Sequence, residues 1–282
     1  MRNRSRLTQR LAWAYIWGSG GVAVVVLVAI IGYVVAKGMP AIDLEFLFTS
    51  PRGGLSGEGG IASCVVATVW IVVVTMVLLI PLGLGGAIYM AEYAPRNRVV
   101  GALRYGMELL AGVPSVVFGL FGYAVFVMVM SFSFSILSGA LTLVCLLLPY
   151  LTRTAEEALR AVPRSQREAA LALGSTKWQM VTRAVLPAAL PGVVTGFVLS
   201  IGRAVSESAP LFITMGGSSG MPQSLFSPGR TLAVHVYYLA METNALDKAL
   251  ATGTVLVVLI LLTNLLTNWV SRRLHARMTG AA

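Results

Sequence analysis

Arg167-Glu168-Ala169-Ala170-Leu171-Ala172-Leu173-Gly174-Ser175-Thr176-Lys177-Trp178 is a polar interruption in a chain that is otherwise strongly apolar. Glu168 to Leu173 are good helix formers. Gly174 can take the left-handed conformation that closes a helix, and Ser175 or Thr176 can cap the next one. The stretch therefore predicts two short helices set at an angle, followed by Leu186-Pro187 at the start of a long apolar helix. Leu171 and Trp178 are its candidate apolar anchors, on a surface otherwise lined by Arg164, Arg167, Lys177 and Arg183. An aromatic side chain ringed by charge suits docking to a partner; the alternative is a loop helix lying on its own protein.

What flanks this hairpin decides the fold class. Hydrophobic residues make up 57% of the 282 residues and charged residues only 11%, and the mean hydropathy is +0.81. A water-soluble domain of this size needs more polar surface than that. Crossing a hydrocarbon core takes about 20 helical residues, and six runs are long enough: Leu11 to Ala36, Ile61 to Ala87, Leu109 to Met130, Phe134 to Leu151, Ala188 to Met215 and Ala249 to Val270. Backbone amides in lipid must be paired within their own segment, so the spans are expected to be helices. The period-two alternation of a membrane barrel is absent from the sequence. The expectation is an all-α membrane protein with about six transmembrane helices.

The net charge of +10 is distributed unevenly. With a cytoplasmic N-terminus, the inside segments hold Arg2, Arg4, Arg6 and Arg10, then Arg96, Arg98 and Arg104, then the basic residues around the hairpin, then Arg272, Arg273 and Arg277. The outside segments hold only Lys37, Arg52, Arg230 and Lys248. Positive charge retained inside predicts an inner-membrane protein with both termini cytoplasmic, and it argues against nucleic acid as the partner of the basic residues. The N-terminal apolar run exceeds a secretory h-region and is read as the first span. Cys64 and Cys145 sit in apolar helix and suggest neither a disulfide nor a metal site.

Along the chain, residues 1–60 comprise the first span and a Gly/Pro-rich connector, with turns at Ser50 to Gly54 and Gly57 to Gly60. Residues 61–272 form the main membrane domain, and 273–282 a cytoplasmic tail. Val99 to Leu110 read as a short interfacial helix, and Leu148-Pro149 as the end of the fourth span. Beyond it, Glu157 and Arg160 are spaced to pair on a solvated face. Thr231 to Met241 is too short to cross, and reads as an interfacial or re-entrant helix that leaves His235 near the surface. Met128 and Met130 are expected to fill the core.

The fifth span carries Arg203-Ala-Val-Ser206-Glu207-Ser208-Ala-Pro-Leu211. An Arg near the middle of a lipid-exposed helix costs about 2.5–3.5 kcal/mol on insertion scales, so such residues face protein or water. Arg203 and Glu207 are four apart and share a face. A rise of about 1.5 Å per residue from Pro187 puts Arg203 some 24 Å along the span, beyond the midplane. Either the two neutralise each other to fix the helix, or Arg203 offers its guanidinium fork to a tetrahedral oxyanion while Glu207 limits the affinity.

The hairpin, with Glu168, Ala169, Ala170, Gly174, Leu186 and Pro187 at their spacing, resembles the cytoplasmic loop by which permease subunits of bacterial ABC importers seat on their ATPase. Gly112 to Phe121, Glu156 to Leu159 with Val162-Pro163, and Arg203 to Leu211 narrow the resemblance to phosphate-specific permeases of the PstA type, across about Ile61 to Leu211. Ser206 and Ser208 depart from the Gly and Thr usual in that family. The resemblance implies a type I importer permease fold and an ATPase-coupling role for Glu168, Ala169, Ala170, Leu171, Gly174, Trp178, Leu186 and Pro187. It also implies a substrate pathway at Arg203, Ser206, Glu207 and Ser208. The implied partners are a second, related permease, two copies of an ATPase and an external phosphate-binding protein. The sequence has no Gly-x4-Gly-Lys-Ser/Thr phosphate loop, so ATP and Mg are expected in the partner ATPase and no cofactor or metal in this chain. Sulfate, molybdate or another small solute remains an alternative cargo. A membrane enzyme or a channel is the alternative class, disfavoured by the lack of a catalytic cluster within the spans and by the hairpin.

Overall fold

The computed structural model describes residues 2–52, 57–95, 97–243 and 245–279, with side-chain surroundings for all of these except 2–8, 270–272 and 274–279. Part of the turn expected at Ser50 to Gly54, Arg96 and the last residues of the expected tail lie outside the described residues. Among the described residues the α-helices are α1 Arg2–Gly38, α2 Leu44–Phe48, α3 Ala62–Ile88, α4 Arg98–Ala111, α5 Ser115–Gly122, α6 Ile136–Ala161, α7 Arg164–Ala172, α8 Lys177–Met180, α9 Leu186–Ser206, α10 Ala209–Thr214, α11 Leu232–Met241 and α12 Leu246–Thr279. Wide π turns extend α3 over Tyr89–Tyr93 and α5 over Tyr123–Val129, and join α8 to α9 over Val181–Val185.

Five helical stretches are long and apolar enough to cross a membrane, and a sixth if the bent pair Arg98–Ala111 and Ser115–Val129 counts as one span. That pair turns by 102° around Gly112 to Pro114. The short helix expected over Val99 to Leu110 is therefore present as α4, and the apolar helix after the bend starts at Ser115 rather than Leu109. Helix α6 does not stop at Leu148-Pro149; it runs through Pro149 to Ala161. A proline costs a helix one hydrogen bond and some straightness, and here α6 is held on both flanks by α3 and α9. The fifth span is likewise two helices, because α9 ends at Ser206 and Glu207 turns extended at φ −70°, ψ 131°.

Helices α3, α6 and α9 form the centre, α1 and α12 pair along one side, and α5 and α10 pack together on the other. Ile71, Leu79, Leu143, Leu147, Leu151 and Leu211 are fully buried between them. Several hydroxyls buried in this apolar interior donate to carbonyls one turn back, as in Thr142 to Ser138 at 2.7 Å and Ser200 to Gly196 at 2.8 Å, which makes them tolerable out of water; Thr75 Oγ1 has no such partner. Met128 and Met130 are exposed rather than core, at 60% and 47%; they end the wide turn of α5, away from the bundle's centre.

His235 is not at the surface either. It is 4% exposed on α11, whose N-terminus is capped by Thr231 and tied to α3 through the Leu232 N–H donated to Thr68 Oγ1 at 2.9 Å. Burial, with the nearby Arg230 charge second, pushes its imidazole down from 6.5 to about 4. The folded chain thus holds His235 neutral where an unfolded chain would take up a proton. Stability present above pH 6.5 is lost progressively as the pH falls toward 4. His235→Gln is expected to flatten that loss, read as the melting temperature of the detergent-solubilised chain across the window.

Candidate functional site

The hairpin is built almost entirely by local rules. Gly174 has φ +81°; its N–H donates to Leu171 O at 3.0 Å, and the Ser175 N–H to Ala170 O at 3.3 Å. That is the Schellman closure of a helix, which needs a left-handed residue and therefore favours glycine. Of the two candidate caps it is Thr176 that starts α8, in a capping box with Gln179: the Gln179 N–H donates to Thr176 Oγ1 and the Thr176 N–H to Gln179 Oε1.

Its two legs differ in burial. Met180, Val181 and Val185 are buried against Ala87, Ala155, Leu159 and Val162, whereas α7 has no buried residue. Glu168 and Ala169 are exposed, Ala170 is half-buried, and Leu171, Leu173 and Trp178 are 47%, 89% and 59% exposed. Leu173 was not anticipated from the sequence, although its place directly before the helix-closing glycine puts it at the tip. Leu186 packs against the buried leg, and α9 begins at Leu186-Pro187 as expected. Its axis continues back through the π turn to Lys177. The Leu186 N–H reaches Val181 O, five residues back, and the widened turn accommodates the ring of Pro187.

Arg167 belongs to the inner side of the hairpin rather than to the exposed surface on which docking was expected. Its Nε and Nη2 donate to Glu92 at 3.0 and 2.9 Å, its Nη2 also to Leu159 O at 2.7 Å, and its Nη1 to Val162 O. With side chains only 17% and 7% exposed, the pair fastens α7 to the ends of α3 and α6. Beside it, buried Glu156 is held by Arg104 at 3.0 Å and Arg160 at 2.9 Å, and both arginines also donate to Met90 O. The expected partner of Arg160, Glu157, instead pairs with Arg153 at 2.7 Å, because Glu156 is on the face turned toward α4. Arg167→Met leaves the Glu92 carboxylate unpaired and is expected to destabilise the chain by about 3 kcal/mol. Adding Glu92→Gln should recover part of the loss in a double-mutant thermal-melting cycle.

At the far end of α9, Arg203 Nε donates to Glu207 Oε1 at 3.3 Å, and the side chains are 37% and 13% exposed. Glu207 is the C-cap, its N–H bonded to Arg203 O at 3.1 Å, so the pair spans the helix end rather than lying along a continuous face. The cation also sits where the last carbonyls of α9 concentrate negative charge. Only Nε is engaged among the described contacts. Ser206 is exposed and donates to Gly202 O, whereas Ser208 lines a separate cavity of about 200 Å³ with Phe212, Val234 and Tyr237. Arg203 and Glu207 are thus brought together, and the two serines diverge from them. The break is braced by α5: a Cβ at Gly119 would come within 2.8 Å of Pro210 Cα.

The described chain is thus a bundle of membrane-length helices with a capped, solvent-exposed hairpin leading into a charged helix break. Residues 83–280 match the family described as binding-protein-dependent transport system inner membrane component, and the chain belongs to that family, as an ABC importer permease of the type I fold. It is 33% identical to the probable ABC transporter permease protein YqgI of Bacillus subtilis over 98% of this chain and 99% of that one. Against the phosphate transport system permease PstA of Xylella fastidiosa it is 34% identical, over 82% of this chain and 81% of the other. With PstA 1 of Mycobacterium tuberculosis it shares 36%, over 79% and 74%. Among solved structures, a bacterial alginate ABC transporter bound to its pentasaccharide-loaded periplasmic protein aligns at TM-score 0.69 and 15% identity, covering 96% of this chain and 98% of that one. The methionine ABC transporter MetNI aligns at TM-score 0.55 and 18%, covering 76% and 94%.

Proposed function

We propose that this chain is one of two related permease subunits of an ATP-driven importer of inorganic phosphate. The observation that carries the cargo assignment is Arg203. Its guanidinium is part-exposed at a helix break with both Nη groups outside the described contacts, and its partial neutralisation by Glu207 suits an anion that must be released as well as bound. The identity to PstA proteins supports the same reading.

In this reading α7 and the tip, with Glu168, Ala169, Ala170, Leu171, Leu173 and Trp178, seat in an ATPase that binds ATP and Mg. Gly174 sets the hairpin's shape, and Leu186-Pro187 anchors it. Two ATPase copies and an external phosphate-binding protein complete the assembly, as the periplasmic protein does in the alginate system. The basic hairpin end faces the cytoplasm, as do both termini. ATP-driven closure pushes the hairpin, and the single helical axis from Lys177 to Ser206 carries the motion to Arg203, which is open first outward and then inward. Ser206 and Ser208 are assigned to the pathway walls, on either side of the break. The test is uptake by the full complex in proteoliposomes with phosphate, sulfate, molybdate and arsenate: saturable, ATP-dependent uptake of phosphate and its close analogue arsenate is expected. Uptake confined to sulfate or molybdate would overturn the cargo.

A further inference from the structure

Two cavities meet at the hairpin end of the bundle. One, of about 520 Å³, is walled by Arg104, Arg160, Arg164 and Arg167 and by the turn around Glu92 that closes α3. The other, of about 730 Å³, is a trough between α3, α4, α5 and α6 walled by side chains such as Leu82, Leu103, Met107, Val117, Phe121 and Leu148. Met90 is in the wall of both. Helix α4 forms the shared rim, with Arg104 on the basic side and Leu103 and Met107 on the apolar side.

We propose that the two cavities together hold one anionic phospholipid, its phosphate among the arginines and its acyl chains along the trough. Charge favours it: the four guanidiniums are opposed at this site by Glu92 and Glu156, which leaves a positive excess. Arg164 has no ion pair among the described residues. Geometry favours it as well. Helix α4 lies 102° from the span that follows it, which sets it along the bilayer surface when α5 crosses, with the headgroup cavity at its rim and the trough running deeper. A soluble anion accounts for the arginines and leaves the trough unfilled; a protein helix accounts for the trough and leaves the arginines unmatched. Because Arg167 also fastens the hairpin to Glu92, the lipid phosphate sits against the hairpin's own anchor.

The whole transporter, exchanged into detergent micelles carrying phosphatidylglycerol or phosphatidylcholine, is to be examined by native mass spectrometry. Wild type is expected to retain phosphatidylglycerol and release phosphatidylcholine. Arg164→Gln, at an exposed position, should lower that retention about fivefold, and Met107→Trp, which fills the trough, should abolish it. Millimolar inorganic phosphate should leave the lipid bound. Equal retention of the two lipids, or wild-type retention by both variants, overturns the proposal. Displacement by phosphate would make the basic cavity a free-anion site. High-yield crosslinking of Leu110→Cys to the second permease in native membranes would make the trough a subunit interface. Either of these results also overturns it.

Discussion

Arg203→Ala is expected to lower uptake by the assembled transporter about 100-fold, the equivalent of a lost charge-assisted contact of about 3 kcal/mol. The assembly itself should survive. Arg203 lies at the end of α9, is 37% exposed, and makes one long ion-pair contact, so its removal opens no core cavity. The residual cost is Glu207, left 13% exposed without its cation. Its charge would then repel an anion, so the loss should exceed that of a simple contact. Arg203→Lys keeps the charge and gives up the planar fork, and should restore part of the rate with weaker discrimination among oxyanions. Glu207→Gln is expected to act in the opposite sense, tightening anion retention and slowing turnover. The readouts are initial uptake rate, and co-purification of the partner subunits as the measure of assembly. Wild-type uptake by Arg203→Ala would remove the guanidinium from the pathway and leave the pair a structural clasp.

Gly174→Pro is expected to separate ATP hydrolysis from transport. Proline is confined to φ near −65°, whereas Gly174 stands at +81°, and proline has no N–H to give to Leu171 O. The closure of α7 is therefore lost, and the tip that presents Leu171, Leu173 and Trp178 is displaced. The buried leg of the hairpin, Met180 to Val185, is untouched, so the membrane bundle should remain folded. Gly174→Ala, which meets no neighbouring atom within 4 Å and carries only the left-handed backbone cost of about 1–2 kcal/mol, should give an intermediate phenotype. The ratio of ATP hydrolysed to anion moved in proteoliposomes measures the effect, with anion selectivity of the external binding protein unchanged. An unaltered ratio in the proline variant would contradict the coupling role.

The parts of the fold that the sequence made legible are those governed by neighbours a few residues away. The Gly174 closure, the Thr176 cap and the long apolar spans follow from local conformational preference and hydropathy alone. Prolines were not legible in the same way. Pro81, Pro149 and Pro191 lie inside continuous helices, while Pro210 lies just past a break. Since all four lack an N–H, what differs is the packing around them, which a linear pattern does not contain. The inward turn of Arg167 was hidden for the same reason. Its partner Glu92 is 75 residues away, and an arginine in a basic loop reads as solvated until an acceptor is seen beside it. Arg203 and Glu207 were found because four-residue spacing survives even where the helix ends between them, but the divergence of Ser206 from Ser208 required knowledge of that ending.

The wide turn at Val181–Val185 acts as a phase setting for the whole span. An α-helix advances about 100° per residue and the π turn absorbs one extra residue within a single wide turn, so tightening Val181–Val185 to ordinary α-helix with every residue kept would rotate everything beyond it by roughly a quarter of a circle. The compass bearing of the Arg203 guanidinium is thus fixed at the opposite end of the helix, beside the hairpin. In the proposed importer, a twist of the hairpin would turn the charged group about the helix axis without translating it.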